Sequence, residues 1–452
     1  MGMKPWKRAI FKLAPLDIRK VLANLEAVKR NKTRHGGEYQ RHYENIDVLR
    51  ILSEDHSIEK LKRLNRLLAS CRKHVPYYQG LILAGELKGL EEIVKLPLLR
   101  KDDLRNDPKS HRNPKPALGY WHGTTGGTSG SLKFVRDLRS LHYEYAFYDC
   151  LYDFAGGKQK GKKARFSNVP IKDVTSHKAP FWMEVARMNQ LQCSIYHLDE
   201  NSYGEYLQAI VEYGPDLGTG YAFCWHRLAE EAIAHCDKRL SLSAVVFDSE
   251  GLTQEEKRVV KKAFDCKVFQ TYGTSELGMI AVQCDHGHYH ILDRVHVEIV
   301  DDQGKVVPDG IDGEIVVTDL WSLDAPFIRY CPEDRGILRS SGCPCGWKSP
   351  YLEKLTGRVR DYIVTGEGRK INHTARIVLG IPGIRTFQYI QDEPGQLHIR
   401  LEVREGFVPE KMEMVHKNAK RIIGDMNITW EVVKKIEKSP SGKIKTVIRT
   451  FD

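Results

Sequence analysis

One strand–helix–strand segment near the middle of the chain limits its fold more than any other feature. Residues 242–247 are a short, continuously apolar run, as in a buried parallel strand. Thr253 and Glu256 have the spacing of a capping box, which predicts a helix from there to about Phe264. Residues 267–270 supply a second short strand, and the crossover predicts two parallel neighbours in an α/β fold.

The loops that follow these two strands predict where a ligand binds. Residues 248–252 follow the first strand, and residues 271–276 follow the second. Because the carboxyl ends of parallel strands meet at one edge of a sheet, both loops should emerge there. Open α/β sheets bind their ligands at that edge. The sequence therefore predicts a nucleotide site formed by these loops.

A run of glycine and hydroxyl residues at positions 124–131 is typical of a loop that holds phosphate. Glycine lets backbone N–H groups turn inward, hydroxyls donate further hydrogen bonds, and a lysine adds positive charge. The run lacks the ending of a Walker loop, and a flexible Gly/Ser surface loop is the alternative. The predicted phosphate-binding residues are Thr124, Thr125, Gly126, Gly127, Thr128, Ser129, Gly130 and Lys133.

Composition places the chain among globular proteins. Its 452 residues contain 41% hydrophobic and 29% charged side chains, and suffice for roughly two or three domains. No apolar run approaches the roughly 20 residues of a membrane span, and the N-terminus lacks the apolar core of a signal peptide. Because the ten cysteines are mostly scattered, we expect no disulfide framework and a cytoplasmic location.

Much of the net charge of +11 lies in the first forty residues, where apolar side chains are interleaved with basic ones. A basic amphipathic segment of this kind can make peripheral contact with a membrane surface. It can equally be a helix that packs on its own domain. The sequence leaves both alternatives open.

Periodicity and turn residues predict the remaining elements. Asp301–Gly304 has the composition of a hairpin turn between two strands. The predicted helices are 56–73, 139–155 and 408–423, and the predicted strands are 295–300, 305–307, 313–318, 362–364 and 397–403.

Four motifs, in order along the chain, resemble those of the acyl-adenylate-forming superfamily. Residues 124–133 resemble its phosphate loop, and residues 272–276 resemble its Tyr-Gly-x-[Ser/Thr]-Glu motif. Residues 357–363 resemble its hinge, and residues 441–444 resemble its catalytic lysine motif. Signatures at 75–78 and 96–105 are similar to those of the phenylacetate–CoA ligase family, and within it to the capsule-biosynthesis, CapK-like subgroup.

The resemblance implies an α/β fold with two domains behind an extension. Residues 56–357 would form a large multi-layer domain, with parallel sheets and a small β-rich part, that binds ATP and a carboxylate. Residues 358–452 would form a smaller, mobile α+β domain that rotates about a hinge at Arg360 and Asp361. Residues 1–55 are predicted to form a basic helical extension, and the first forty or so of them lie outside the resemblance.

The implied chemistry joins a carboxylate to ATP and then passes the acyl group to a thiol, CoA. Two anions must approach each other, so the barrier is mainly electrostatic. Lys443 would bridge the carboxylate and phosphate oxygens, with a solvated basic tail as the alternative. Glu276 would bind Mg²⁺, with a charge at the start of a following helix as the alternative.

The resemblance also implies nucleotide contacts. Tyr272 would stack on the adenine, or be a plain core aromatic. Asp334 would bind the ribose, although Pro332-Glu333 replaces the Thr-Gly that usually precedes this aspartate. Arg358 would reach the ribose or the α-phosphate, or form a surface ion pair. The other predicted ATP-binding residues are Ser249, Glu250, Gly251, Gly273, Thr274 and Ser275.

Cysteine and histidine spacing predicts a structural zinc site. Cys284 and His290 precede Cys343 and Cys345 by some fifty residues, and four such ligands can close a tetrahedral site. The resemblance implies that some relatives carry a similar structural zinc. The alternative is that these are loop cysteines that bind no metal. Three further residues could substitute for one of the four ligands: His286, His288 and Cys331.

Three functions are compatible with these observations. The first is an AMP-forming acid–thiol ligase. The second is an adenylating enzyme of capsule biosynthesis that passes an acyl group or AMP to an amine, a hydroxyl or a carrier. The third, a zinc-containing nucleic-acid-binding protein, is disfavoured because the basic residues are not paired with aromatic platforms. Aromatic residues at 141–154, 181–182 and 221–225 could line the acid pocket or belong to the core.

Overall fold

The structure is a computed structural model that describes residues 14–451 with gaps. The gaps are residues 82–84, 126–131, 159–160, 170, 173–175, 177, 200, 236–239, 249–250, 359–361, 372–376, 379–380, 382, 404–406 and 438–445.

The described part of residues 14–358 begins with consecutive helices, continues with helices and strands interspersed, and ends with consecutive strands. The helices are α1 Leu16–Arg34, α2 Tyr39–Asn45, α3 Val48–Ser53, α4 Ser57–His74, α5 Pro76–Gln79, α6 Lys101–Asn106, α7 Leu138–Phe154, α8 Tyr203–Tyr213, α9 Ala222–His235 and α10 Gln254–Phe264. The strands are β1 Tyr120–Thr124, β2 Lys133–Asp137, β3 Lys163–Ser167, β4 Trp182–Val185, β5 Gln190–Ser194, β6 Leu217–Gly220, β7 Ala244–Phe247, β8 Lys267–Thr274, β9 Gly278–Gln283, β10 Tyr289–Ile291, β11 Val295–Val300, β12 Asp312–Asp319, β13 Asp334–Arg339 and β14 Tyr351–Arg358.

Twelve of these strands form one sheet with a parallel half and an antiparallel half. Its order is β11-β12-β13-β14-β10-β9-β8-β7-β6-β3-β5-β4. Strands β5, β3, β6, β7 and β8 are parallel neighbours, and β4 is an antiparallel strand at the edge. All pairs from β8 to β11 are antiparallel. The two halves therefore meet at β8.

The predicted crossover is confirmed. Strands β7 and β8 pair in parallel, and α10 connects them. The capping box at its start is complete: the Glu256 N–H donates to the Thr253 hydroxyl oxygen at 3.3 Å, and the Thr253 N–H donates to the Glu256 carboxylate at 2.8 Å. This pair satisfies two backbone donors that the first turn would otherwise leave unpaired.

Helices cover both faces of the parallel half, as the alternation along β7 shows. Val245 and Phe247 pack in one core cluster with Trp225 of α9 and with α10. Val246 lies on the opposite face, in a cluster with Phe147 of α7. The result is a three-layer α/β/α arrangement, which confirms the predicted α/β class.

Two strand predictions are wrong in their bounds. Strand β8 continues through Thr274, where a loop was expected from residue 271, because Thr271 to Thr274 pair antiparallel with β9. The expected strand at 305–307 is reduced to one bridge between Val300 and Val306. Pro308, which has no N–H to donate, follows directly and limits the pairing with β11; β12 pairs with the other edge of β11.

Residues 39–53 pack tightly on the parallel half. The Tyr39 hydroxyl donates to Asp149 of α7 at 2.7 Å, and the Tyr43 hydroxyl donates to Asp153 of the same helix. Leu52 is fully buried in the cluster that contains Phe147. These two short helices thus share a core with the sheet.

The C-terminal residues form a smaller α+β unit, as predicted. Its strands are β15 Ile363–Val364, β16 Lys370–Ile371, β17 Ile384–Gln391, β18 Gln396–Val403, β19 Asn427–Val432 and β20 Val447–Arg449, and its helix is α11 Met412–Ile423. Four of these strands form a sheet in the order β19-β18-β17-β20. Val415 and Ala419 of α11 are buried against Tyr389 and Leu401 of this sheet. Among the helices described in the whole chain, none is long and apolar enough to cross a bilayer.

Candidate active site

The ends of β7 and β8 are tied together at the predicted ligand edge. The Thr271 hydroxyl donates to the Phe247 carbonyl oxygen at 3.0 Å. The Leu252 N–H donates to the Gln270 side-chain oxygen, also at 3.0 Å. Gly251 lies beside that amide group, where any Cβ would overlap it. The loop after β7 is thereby held next to the second half of β8.

Tyr272 and Asp334 meet at this edge. The Tyr272 hydroxyl donates to the Asp334 carboxylate at 2.9 Å. The Tyr272 ring is buried, packs edge-on to Tyr289 at 6.4 Å between centroids, and belongs to the core of the antiparallel half. Asp334 begins β13, where its backbone is opposite Arg358 at the end of β14. The structure thus brings together three residues expected to contact the nucleotide.

Glu276 lies in the turn between β8 and β9, with only 5% of its surface exposed. The Tyr330 hydroxyl donates to its carboxylate at 2.8 Å. Burial, reinforced by the Glu276 charge, raises the pKa of Tyr330, and the hydroxyl therefore remains protonated and donates. The alternative that Glu276 begins a helix is wrong, because β9 follows at Gly278.

A fully buried arginine holds the backbone that follows Glu276. Arg294 donates to the carbonyl oxygens of Leu277 and Met279, at 2.7 and 2.9 Å. Its other terminal nitrogen contacts Ser140 and Asp319, at 2.8 and 3.1 Å. The sequence gives no signal for this role, because a single arginine between two strands has no distinguishing pattern.

Between Tyr272 and Glu276, two residues are exposed to solvent and Thr274 stabilises a tight turn. Gly273 and Ser275 are exposed, and the Thr274 hydroxyl oxygen accepts the Leu277 N–H at 3.1 Å. Gly273 lies at an irregularity of the β8–β9 pairing, and a Cβ there would overlap the Gly278 carbonyl oxygen. Only glycine allows this close approach of the two strands.

The predicted phosphate loop is framed by the β1–β2 hairpin. The Thr125 N–H donates to the Leu132 carbonyl oxygen at 2.8 Å, and the Leu132 N–H donates to the Thr125 hydroxyl oxygen at 3.3 Å. Thr124 and Lys133 are opposite each other in the hairpin, and both are exposed. The loop residues Gly126, Gly127, Thr128, Ser129 and Gly130 lie outside the described residues.

A cavity of about 420 Å³ opens beside this hairpin. Thr124 and Lys133 line it, together with the cationic or titratable side chains of Lys109, Arg112 and His122. Its apolar wall includes Leu104, Phe134 and Phe327. Several basic groups around one cavity create a positive potential that suits phosphate oxygens.

The segment before Asp334 is held by the motif at residues 96–105. The Leu99 N–H donates to the Arg329 carbonyl oxygen at 2.9 Å, and the buried Lys101 ammonium lies 2.7 Å from the Glu333 carboxylate. Glu333 has φ +69°, a left-handed backbone conformation that residues other than glycine rarely adopt. The glycine that this chain lacks before Asp334 is thus replaced by a residue with a charged partner.

Four predicted metal ligands converge at the far end of β9. The ligand atoms of Cys284, His290, Cys343 and Cys345 all lie within 4.8 Å of one another. The Cys284 and Cys343 sulfurs are 3.8 Å apart, and the Cys345 sulfur is 3.3 Å from the His290 Nε2. A tetrahedral zinc with Zn–S bonds of about 2.3 Å requires sulfurs about 3.8 Å apart. The donor set therefore fits zinc.

The surroundings of His290 orient it as a ligand. Its Nδ1 lies 3.1 Å from both the carbonyl and the hydroxyl oxygen of Ser349, which leaves Nε2 directed at the cysteines. Burial lowers the pKa of His290 to about 4, and the imidazole is therefore neutral, as metal binding requires.

The possible substitute ligands lie outside this group. His288 stacks on Tyr351 and contacts Cys343 at 3.2 Å, without joining the four mutually close donors. His286 is exposed in the preceding turn, and Cys331 is buried with Val300 elsewhere in the antiparallel half.

Several predicted site residues cannot be placed, because they lie outside the described residues. These are Ser249 and Glu250 of the loop after β7, Arg360 and Asp361 of the hinge, and Lys443. Of Arg358 the structure describes the backbone position in β14.

Two of the aromatic residues considered for the acid pocket belong to the core. Trp225 is fully buried and donates to the Thr219 carbonyl oxygen at 3.0 Å, and Phe181 is buried in the same cluster. Tyr148 and Tyr152 of α7 are half-buried, on the side of the sheet opposite this cluster.

The fold and the order of its motifs define a class of enzymes, the AMP-forming ligases. A model of the AMP-binding enzyme family matches residues 155–321, and a model of the CapK C-terminal domain matches residues 363–450. The chain therefore carries an AMP-binding enzyme domain followed by a CapK C-terminal domain.

Known proteins resemble the chain over most of its length. It is 22% identical to Protein CapK of Staphylococcus aureus, over 98% of this chain and 99% of that protein. It is 24% identical to a phenylacetate-coenzyme A ligase of Thermus thermophilus, over 82% and 86% of the two chains. The structure of a 2-hydroxyisobutyryl-CoA ligase in the postadenylation state matches with a TM-score of 0.63 and 16% identity, over 88% of this chain and 91% of that one. This last likeness supports the fold.

Proposed function

We propose that the protein activates a carboxylic acid with ATP to an acyl-adenylate and passes the acyl group to CoA. The contact between Tyr272 and Asp334, next to the buried Glu276 at the carboxyl edge of β7 and β8, carries this proposal. It supports a site for a nucleotide where the family's motifs predict one.

The described residues supply distinct parts of such a site. Asp334 accepts from Tyr272, and this orients its carboxylate for ribose hydroxyls. Mg²⁺ would supply positive charge to the phosphates, and Glu276 is the carboxylate to hold it, oriented by the Tyr330 hydroxyl. The cavity beside Thr124 and Lys133 would take the β- and γ-phosphates.

The first half-reaction requires the carboxylate to attack the α-phosphorus while pyrophosphate leaves. Charge builds up where the two anions meet, and fixed cations lower the barrier there. We assign this role to Lys443, supported by its Ser-Gly-Lys-Ile context, with Arg358 at the ribose or α-phosphate. Residues 360–361 would form the hinge on which the C-terminal unit turns between half-reactions.

A second candidate differs in the acceptor and, where AMP is passed on, also in the group transferred. The CapK C-terminal domain and the similarity to Protein CapK over almost the whole chain favour it. In this alternative the adenylate forms in the same way, and the acyl group or AMP passes to an amine, a hydroxyl of a sugar precursor or a carrier in capsule biosynthesis.

We also propose that the cluster of Cys284, His290, Cys343 and Cys345 binds one structural zinc ion. The mutual distances of the donors and the Ser349 contact to His290 support it. Four protein ligands leave no open position, so the metal would serve the fold and not the reaction.

The decisive experiment measures pyrophosphate release from ATP with a panel of carboxylic acids, with and without CoA. Glu276→Gln, which removes the charge and keeps the shape, is the matched negative control. We expect acid-dependent release that CoA accelerates, with a thioester detected by mass.

The result distinguishes the candidates. If pyrophosphate release depends on the acid but is not accelerated by CoA, the acceptor is a compound other than CoA. Release that Glu276→Gln leaves unchanged would contradict the proposed site. ATP binding without release in the presence of any acid would contradict the ligase proposal for the acids of the panel.

A further inference from the structure

The outward face of α1 carries an apolar stripe. Ile18, Val21, Leu25 and Val28 are each between 51% and 64% exposed. Their spacing of three and four residues places them on one side of the helix, over a length of about 15 Å. Single exposed apolar residues are common on proteins, but four in line on one helix are not.

The opposite face of α1 fixes the helix to the protein. Ala27 is buried against Met183 and Val185, at the edge of the sheet that β4 forms. The Asn24 side chain accepts the Arg187 N–H at 3.0 Å, and the Asn31 side chain donates to the Arg187 carbonyl oxygen at 2.7 Å. The stripe is therefore presented outward in a defined orientation.

Basic side chains lie beside the C-terminal half of the stripe. Lys29 and Lys32 are exposed on α1 within about 60° of the stripe, and Lys20 is exposed further round the helix. Asp17 is the acidic residue on this side; it is 94% exposed and lies 3.8 Å from Lys20, a weak surface pair. The first 40 residues of the sequence contain ten basic and three acidic side chains.

We propose that this face of α1 docks on an anionic lipid surface. An apolar stripe flanked by lysine is the pattern of a helix that lies in a membrane interface, where apolar burial and attraction to anionic headgroups add. Four side chains can bury only a few hundred Å² against a second copy of the chain, well below the roughly 1,000 Å² of a stable dimer. The charges also favour lipid, because a pair of like helices would bring lysines together.

The proposal is independent of the reaction. Docking through α1 leaves the candidate active site untouched, because its residues lie on β8, β13 and the β1–β2 hairpin. The protein would then work at a membrane surface without spanning it.

Sedimentation of the full chain with vesicles tests this. We use phosphatidylcholine vesicles with and without 30% phosphatidylglycerol as a probe (about one lipid in three), at low and physiological salt. We expect binding to the anionic vesicles, weaker binding at the higher salt and little binding to phosphatidylcholine alone.

Two double variants separate the contributions. Leu25→Ser with Val28→Ser should weaken binding at least tenfold through lost apolar burial. Lys29→Gln with Lys32→Gln should weaken it about 25-fold, at about fivefold for each lysine. Ile58→Ser, at a residue of α4 that is 68% exposed, is the matched control and should bind as the unaltered protein does.

Three outcomes would overturn the proposal. They are no sedimentation with anionic vesicles, binding that neither double variant weakens, and a dimer in light scattering that the Leu25→Ser and Val28→Ser variant dissociates. All substituted positions are exposed, and a thermal melt checks that each variant is folded.

Discussion

Two tyrosine hydroxyls each donate to a carboxylate of the candidate site, Tyr272 to Asp334 and Tyr330 to Glu276. Tyr272, Glu276 and Asp334 were predicted from the sequence, because each lies in or near a recognisable motif. Tyr330 was not, since the polar partner of a buried tyrosine depends on which distant strand packs over it. Local pattern therefore predicted the carboxylates as site residues, and only the tertiary packing shows which hydroxyl contacts each of them.

Tyr330→Phe tests this orientation. It removes the hydroxyl and leaves the ring, so the buried Glu276 carboxylate loses a donor. We expect kcat/KM for ATP to fall about tenfold to 100-fold, from the value of a hydrogen bond to a charged group. Tyr213→Phe removes a buried hydroxyl far from the site and should leave kcat/KM unchanged. Equal activity of Tyr330→Phe and the unaltered protein would contradict the role.

The ion pair between Lys101 and Glu333 makes a second prediction at this scale. Lys101→Met removes the cation and leaves Glu333 in its left-handed conformation next to Asp334. We expect ATP affinity, measured by calorimetry, to fall about tenfold. Adding Glu333→Gly to that variant should restore much of the affinity, because glycine adopts this φ without strain.

The control for this pair is Arg258→Met, which breaks an exposed ion pair with Glu255 and should not change ATP affinity. If the double variant binds ATP no better than Lys101→Met alone, the pair does not position Asp334.

At the scale of elements, signals that lie within one segment were reliable. The helix α10 begins at its capping box as expected, because both partners of that box are three residues apart. The extension of β8 to Thr274 was missed, since it depends on pairing with β9 across a turn. The strand expected at 305–307 was too long, because Pro308 follows directly and the pairing with β11 stops after one bridge at Val306.

The proposed zinc cluster joins two parts of the chain some fifty residues apart, and the spacing of cysteine and histidine predicted this grouping. Cys345→Ser should abolish zinc binding, measured as metal per chain, and lower the unfolding midpoint by at least about 4 °C. Cys266→Ser, at a half-buried cysteine outside the cluster, should keep the metal. A purified protein without zinc, or one that keeps it after Cys345→Ser, would contradict the assignment.

At the scale of the whole molecule, the α/β class and the smaller C-terminal unit were predictable, and the twelve-stranded sheet was not. The parallel half follows from strand–helix–strand repeats along the chain. The antiparallel half pairs β10 with both β9 and β14, and the second of these partners is some sixty residues away. Such long-range pairing leaves no periodic trace in a sequence.

The Lys443→Ala variant tests a step that, in our proposal, involves both domains. Because the proposed lysine acts only while the C-terminal unit faces the phosphates, its loss should reduce acyl-adenylate formation at least 1,000-fold, an amount of about 4 kcal/mol. Thioester formation from a supplied acyl-adenylate should continue. Equal loss of both half-reactions would contradict this division of labour.

Strand β9 has the Glu276 turn at one end and Cys284 at the other. Its six residues span about 20 Å, and the zinc ion that we propose would secure the distal end. With the structural zinc that we propose, a cell short of this metal would make a protein whose apolar cores are intact but whose strand β9 has lost the support of its distal end. We therefore expect the output of this enzyme to follow the nutritional supply of zinc.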